Sequence, residues 1–240
     1  MNLNFKKKIP LMYQRWEHLY FLHWEYPASL IQSRLPKGLY VDLYEGKSYM
    51  AIVPFSMRSL RLNYLPTFPG ISNFIELNLR TYVHDDQGRP GVWFFSLEAD
   101  SFFSVFIANY FFSLPYQMSK LHFQSYNNRH AYKASAKRDV QKNEMVFEFE
   151  SNGHEKLAER GSLESFLVER YRLFTYNQKS GKLLTGCIQH NPYLVSDAKV
   201  LEISTHLFKL NSMDPPAIKP CSVLYSPGTN VAVFPLKSIQ

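Results

Sequence analysis

Cysteine is scarce: Cys187 and Cys221 are the only two in 240 residues. That excludes a disulfide-held scaffold, and their separation excludes a C-x-x-C pair. Charged residues make up 20% and apolar residues 45%, which excludes a disordered chain. No apolar run reaches the ~20 residues of a membrane helix. The longest uncharged stretch, Ser101 to Ser119, is interrupted by Asn109, Ser113 and Pro115 and reads as a buried helix. Lys6-Lys7-Lys8 is not followed by the apolar run of a secretory signal. A cytoplasmic protein with reduced thiols and no membrane partner is expected.

Several chemical signatures are also missing. There is no G-x-S-x-G elbow, no P-loop and no G-x-G-x-x-G turn. The histidines (His18, His23, His84, His122, His130, His154, His190 and His206) form neither H-x-H nor H-E-x-x-H. No metal and no cofactor is expected. Lys plus Arg is 27 against 20 Asp plus Glu, so 27 − 20 gives +7. Yet the basic residues form no arginine-rich stripe or finger spacing, so no nucleic-acid partner is expected.

Aromatic rings are plentiful, with 19 Phe and 16 Tyr. They imply a large core or a pocket walled by rings. No linker or repeat divides the chain, so one domain over residues 1–240 is expected. Strands are predicted over Ser48–Pro54, Asn73–Val83, Val92–Glu98, Ala131–Arg138, Glu144–Ser151, Lys182–His190, Leu201–Leu210 and Val231–Phe234. Helices are predicted over Ser101–Ser113, from Leu163 toward Phe174, and after Pro27 through Ile31. Many strands and few helices predict a mainly β, α+β or barrel fold.

Alternation separates the faces of each strand. Met145, Phe147 and Phe149 oppose Glu144, Glu148 and Glu150, as on an outer hairpin strand paired with Ala131–Arg138. In Asn73–Val83, Ile75, Leu77, Leu79 and Val83 share one face; Phe74, Glu76, Asn78, Arg80 and Tyr82 share the other. Glu76 and Arg80 stand roughly 13 Å apart on a regular strand, too far to pair directly. That face meets either water or a small polar ligand between the two charges.

Local strings resemble a known family. They include His23-Trp24, Leu35-Pro36-Lys37-Gly38-Leu39 with Asp42, Val53-Pro54-Phe55-Ser56-Met57-Arg58 and Phe74 to Val83. Pro90 to Ala99, Leu114-Pro115-Tyr116, Glu169-Arg170-Tyr171 and His190-Asn191-Pro192 continue the match. Together they resemble the YqjF-like family of bacterial proteins (domain of unknown function 2071), distantly similar to the acetoacetate decarboxylase-like superfamily. The resemblance implies a single closed, cone-like antiparallel β-barrel with two or three packed helices and a central cavity. Glu76 would then be an enclosed acid/base, Arg80 an anchor for an anionic small molecule, and Asn78, Tyr82 and Tyr116 polar groups around it. The decarboxylase's Pro-Lys-Lys motif supplies a Schiff-base lysine. Here Pro115 is followed by Tyr116 and Gln117, with Lys120 the nearest amine. Decarboxylation through an imine is therefore not expected.

Three functions stay open. The first is a lyase- or hydratase-like enzyme on a small oxo- or carboxylic acid, with Glu76 and Tyr116 catalytic. The second is a non-catalytic binding or sensor protein. The third is an interaction protein using its basic, aromatic surface. The residues do not choose among them, nor do they give the ligand or oligomeric state. Whether His23, Trp24, Glu98, Arg170 and His190 converge on one site is also left open; the alternatives are Trp24 and Tyr171 in the core, Arg170 in a surface ion pair, and Glu98 sharing a polar edge with Ser96.

Overall fold

The computed structural model describes residues 9–68, 70–102, 105 and 113–239. Its strands are β1 Met12–Glu25, β2 Leu39–Val41, β3 Tyr49–Leu62, β4 Phe74–Asp85, β5 Pro90–Ala99, β6 Tyr116–Tyr126 and β7 Arg129–Ala136. They continue with β8 Met145–Ser151, β9 Lys156–Leu157, β10 Arg172–Asn177, β11 Lys182–His190, β12 Leu194–Glu202, β13 Ser222–Val233 and β14 Lys237–Ser238. Short helices accompany them: α1 Ala28–Gln32, α2 Leu163–Val168 and α3 His206–Leu210. No helix among the described residues is long and apolar enough to cross a membrane.

Hydrogen bonds close this sheet into a barrel. Its circuit runs β1-β3-β4-β5-β6-β7-β8-β12-β13 and back to β1. A second circuit leaves at β5, passes through β10 and β11, and rejoins at β13. The strands β13, β1, β3, β4 and β5 belong to both, and β3 and β4 bury both faces over most of their length. On β1, Tyr20, Leu22 and Trp24 join Leu77, Leu79, Phe147 and Phe149 in one core. Leu19 and Phe21 point the other way, into a core with Val53, Phe55, Phe74 and Tyr82. A strand covered on both sides reads as a near-continuous apolar run, and Tyr49 to Met57 of β3 is buried throughout.

The barrel is not antiparallel throughout: β5 runs parallel to β6 and to β10. The predicted strand over Leu201–Leu210 is also corrected. β12 ends at Glu202, and His206–Leu210 is helix. Leu207 and Phe208 turn into the core there, and Trp24 meets Phe208 edge-on at 5.6 Å. The helix predicted toward Phe174 stops at Val168, since Arg172 already belongs to β10. The helix predicted over Ser101–Ser113 falls mostly outside the described residues.

One irregularity matters for the site. Leu79 of β4 faces Ser96, but Arg80 faces Phe94, so β5 carries an extra residue, Phe95. The bulge reverses the alternation beyond it. Val92, Phe94 and Leu97 all line the cavity described below. Glu98 turns away and is fully buried, taking hydrogen bonds from Arg138 Nη2 at 2.5 Å and Ser119 Oγ at 2.6 Å. It shares no exposed edge with Ser96, which is itself buried.

Candidate functional site

Alternation along β4 carries Glu76, Asn78 and Arg80 into a cavity of about 430 Å³ inside the smaller circuit. Opposite them on β3 stand Phe55, Val53 and Ala51, which offer no charge. Trp16, Met57, Phe74, Phe94 and Leu97 are among the apolar residues of the wall. Tyr116 enters at the start of β6, set beside Leu97 by the parallel pairing.

Glu76 is the centre of the polar end. It is 3% exposed. Tyr116 Oη donates to its Oε2 at 2.7 Å, and Asn78 Nδ2 donates to its Oε1 at 3.4 Å. Burial raises the Glu76 pKa to about 7, against the opposing pull of both donors and the positive charge of Arg80. Its carboxyl therefore takes up and releases a proton near neutrality. Burial and the neighbouring carboxylate push Tyr116 well above the usual phenol range, so it stays a neutral donor.

Arg80 lies deeper. Its Nη2 donates to the Leu167 carbonyl at 3.4 Å, while its buried Nε has no hydrogen-bond partner among the described residues. No carboxylate forms an ion pair with it among those residues. A guanidinium so enclosed and unpaired is costly, and a ligand anion would compensate it. The Asn78 carbonyl oxygen is likewise buried without a partner among the described residues.

Arg170, whose place the sequence left open between the site and a surface ion pair, lines the same cavity. It is 7% exposed, and its Nη1 donates to Asp42 Oδ2 at 2.6 Å. Its Nε donates to the Phe166 carbonyl at 2.7 Å, and its guanidinium packs 4.1 Å over the Phe166 ring. Tyr82 is not among the lining residues. Fully buried behind them, it stacks under Arg80 at 5.7 Å and under Arg170 at 5.1 Å. Its hydroxyl shares a 2.7 Å hydrogen bond with His23 Nε2. Burial and the charge of Arg80 hold His23 well below the usual imidazole range, so it is neutral. His190 stacks between Tyr171 and Tyr193, both centroids at 4.5 Å.

No lysine lines the cavity among the described residues. Gln117, next to Tyr116, pairs with Glu98, and Lys120 is exposed. The described residues contain no cluster of three or more His, Cys, Asp or Glu placed to hold a metal ion. Tyr193 and the pairing of Arg170 with Asp42 were missed, and Arg170 itself was left undecided. The signal was present in Glu169-Arg170-Tyr171 and in Asp42 beside the Leu35–Leu39 string, but nothing local joined two residues so far apart.

The fold is similar to that of acetoacetate decarboxylase from Legionella pneumophila. The identity is 13% and the TM-score 0.66, over 97% of this chain and 88% of that one. It is similar also to the enduracididine biosynthesis enzyme MppR complexed with pyruvate, with 9% identity and a TM-score of 0.66 over 98% and 92% of the two chains. At such identities the likeness shows the fold alone. The uncharacterized protein YqjF of Bacillus subtilis is 36% identical over 207 residues, covering 85% of this chain and 83% of YqjF. With residues 13–230 matching the uncharacterized conserved proteins of DUF2071, the chain belongs to that family.

Proposed function

We propose that the cavity binds a small oxo- or carboxylic acid and that Glu76 exchanges a proton with it, without an imine. The observation that carries this reading is the Glu76 carboxyl itself: enclosed, hydrogen-bonded by Tyr116, and with a pKa of about 7. General acid/base catalysis works best when the catalytic pKa lies near the working pH. Arg80 would hold the ligand carboxylate, Asn78 and Tyr116 would orient the reacting end, and Tyr82 would hold Arg80 in place. Ionised Glu76 removes a proton from the carbon beside the ligand carbonyl. The C–H electrons become the enolate double bond, and the carbonyl pair moves to oxygen. Return of the proton reverses the step.

The test is hydrogen exchange. Pyruvate and 4-methyl-2-oxopentanoate are incubated with the protein in D2O, and loss of the C3 proton is followed by NMR. Glu76→Gln should slow the catalysed exchange by about 10²–10⁴-fold. Exchange that survives the substitution removes Glu76 from the chemistry. A second reading, ligand binding without turnover, is favoured by Tyr116 and Gln117 standing where the lysines would be. It predicts that the same acids raise the melting temperature and show no exchange. We further propose a cytoplasmic location, consistent with two free thiols.

A further inference from the structure

Glu76, Asn78 and Arg80 are gathered toward one end of the cavity. Along β4 the order is Phe74, then Glu76, Asn78 and Arg80, running away from the β3 end at Leu60 to Leu62. The opposite end is apolar. Its polar side chains have partners: Gln14 accepts from Trp16 Nε1 at 2.8 Å, Ser72 Oγ accepts from Phe68 N at 2.8 Å, and Arg61 lies 4.6 Å over the Tyr13 ring. Leu62, Leu65 and Phe68 line the cavity there and are still 41%, 45% and 49% exposed. Large apolar side chains that both line a cavity and meet water form an unfilled rim.

The volume points the same way. A water claims ~30 Å³ of liquid, so about 430 Å³ holds roughly a dozen non-hydrogen atoms. Pyruvate has about half that number and would leave the apolar wall wet. Cavities of ~300–1,000 Å³ generally take larger, mainly apolar ligands fixed by a few polar groups.

We infer that the ligand is an acid with an extended apolar body, alkyl or aryl, bound head-first. Its carboxylate sits at Arg80, its reacting carbon beside Glu76, and its apolar body runs past Trp16 to the rim at Leu65 and Phe68. This rests on the proposed acid site and names the class of acid it takes.

Calorimetric titration tests it, using propanoate, butanoate, hexanoate, octanoate and 3-phenylpropanoate below their aggregation concentrations. Affinity should rise about fourfold per methylene across the alkyl series. Whether octanoate or 3-phenylpropanoate binds tighter then tells an alkyl from an aryl body. Leu65→Asp and Phe68→Asp, at partly exposed positions, should lower the octanoate-to-propanoate preference at least tenfold. Arg80→Gln should weaken the whole series. Affinity that does not change with chain length, alongside Arg80-dependent binding of propanoate, would overturn the apolar body and leave the acid site standing. A preference for octanoate that ignores both rim substitutions would also overturn it. If no acid in the series binds, both readings fall.

Discussion

Glu76 illustrates how one residue's chemistry is set by what surrounds it. Burial pushes its pKa up, and the Tyr116 hydroxyl and Asn78 amide partly restrain it. Removing a donor that favours the charged form therefore raises the pKa further. Tyr116→Phe should move the Glu76 titration above about 7. The shift is readable from the ¹³C resonance of the labelled carboxyl or from the acidic limb of the exchange rate, where protonation removes the base. An unmoved titration would mean that Tyr116 does not bond the carboxylate. At this scale the sequence was partly readable. Alternation alone put Glu76, Asn78 and Arg80 on one face, but it could not say whether that face met water. Family resemblance, not spacing, brought Tyr116 to the site. Tyr82 shares the parity of Arg80, yet it ends up behind the cavity wall, because parity fixes a side and not a depth. Arg170 was unreadable, since its partner Asp42 lies 128 residues away.

At the scale of elements, α2 has only six residues and still positions both arginines. The Leu167 carbonyl accepts from Arg80, and the Phe166 carbonyl accepts from Arg170. So short a helix depends on its ends. Ser162 caps it, accepting from Ser165 N at 3.2 Å. Ser162→Ala should cost about 1 kcal/mol in urea unfolding and weaken acid binding with it, whereas Ser162→Asp should keep both. Stability unchanged by the alanine would show that tertiary packing alone holds α2. The start of this helix was legible from Ser162 and the apolar spacing after it, but its end was not. The strand following Arg170 pairs along its length with β11, as a hairpin, and at two positions with the distant β5. Met12–Glu25 escaped notice for a related reason. Arg15, Glu17, His18, His23 and Glu25 interrupt its alternation, yet β3 and β13 flank it on both sides. The Phe95 bulge, which decides that Leu97 and not Glu98 joins the cavity, left no mark in the string of residues.

For the molecule as a whole, the buried ionisable groups set opposing dependences on pH. His130 is held at about 4 by burial and by His18, and burial also lowers His18, His23 and His190. A lowered histidine binds fewer protons folded than unfolded, so each adds stability as pH rises toward 6.5. Glu76 does the reverse. Its raised pKa means the folded state holds a proton that the unfolded state has lost, so stability falls from pH 4.5 until about 7. That loss is on the order of 3 kcal/mol at ~1.4 kcal/mol per pKa unit. Denaturation curves should show wild type gaining stability from pH 4 to 6.5, with Glu76→Gln gaining more steeply. The variant should be the more stable protein at pH 8, with the difference closing toward pH 4.5. A constant difference across that range would mean that Glu76 is ionised throughout. Strand number alone pointed to an α+β or barrel fold, and the family resemblance singled out the closed barrel. The second circuit through β10 and β11 was not legible, because a few short pairings close it.

The five strands shared by both circuits separate selection on binding from selection on folding. On β4 the side chains that meet the cavity alternate with Leu77 and Leu79, which belong to the opposite core. A lineage can therefore exchange Glu76, Asn78 or Arg80 and acquire a different ligand while the residues between them keep the barrel closed. Between lineages of this fold that take different ligands, divergence should accumulate with a period of two along β4, changing on the cavity side and constant behind it.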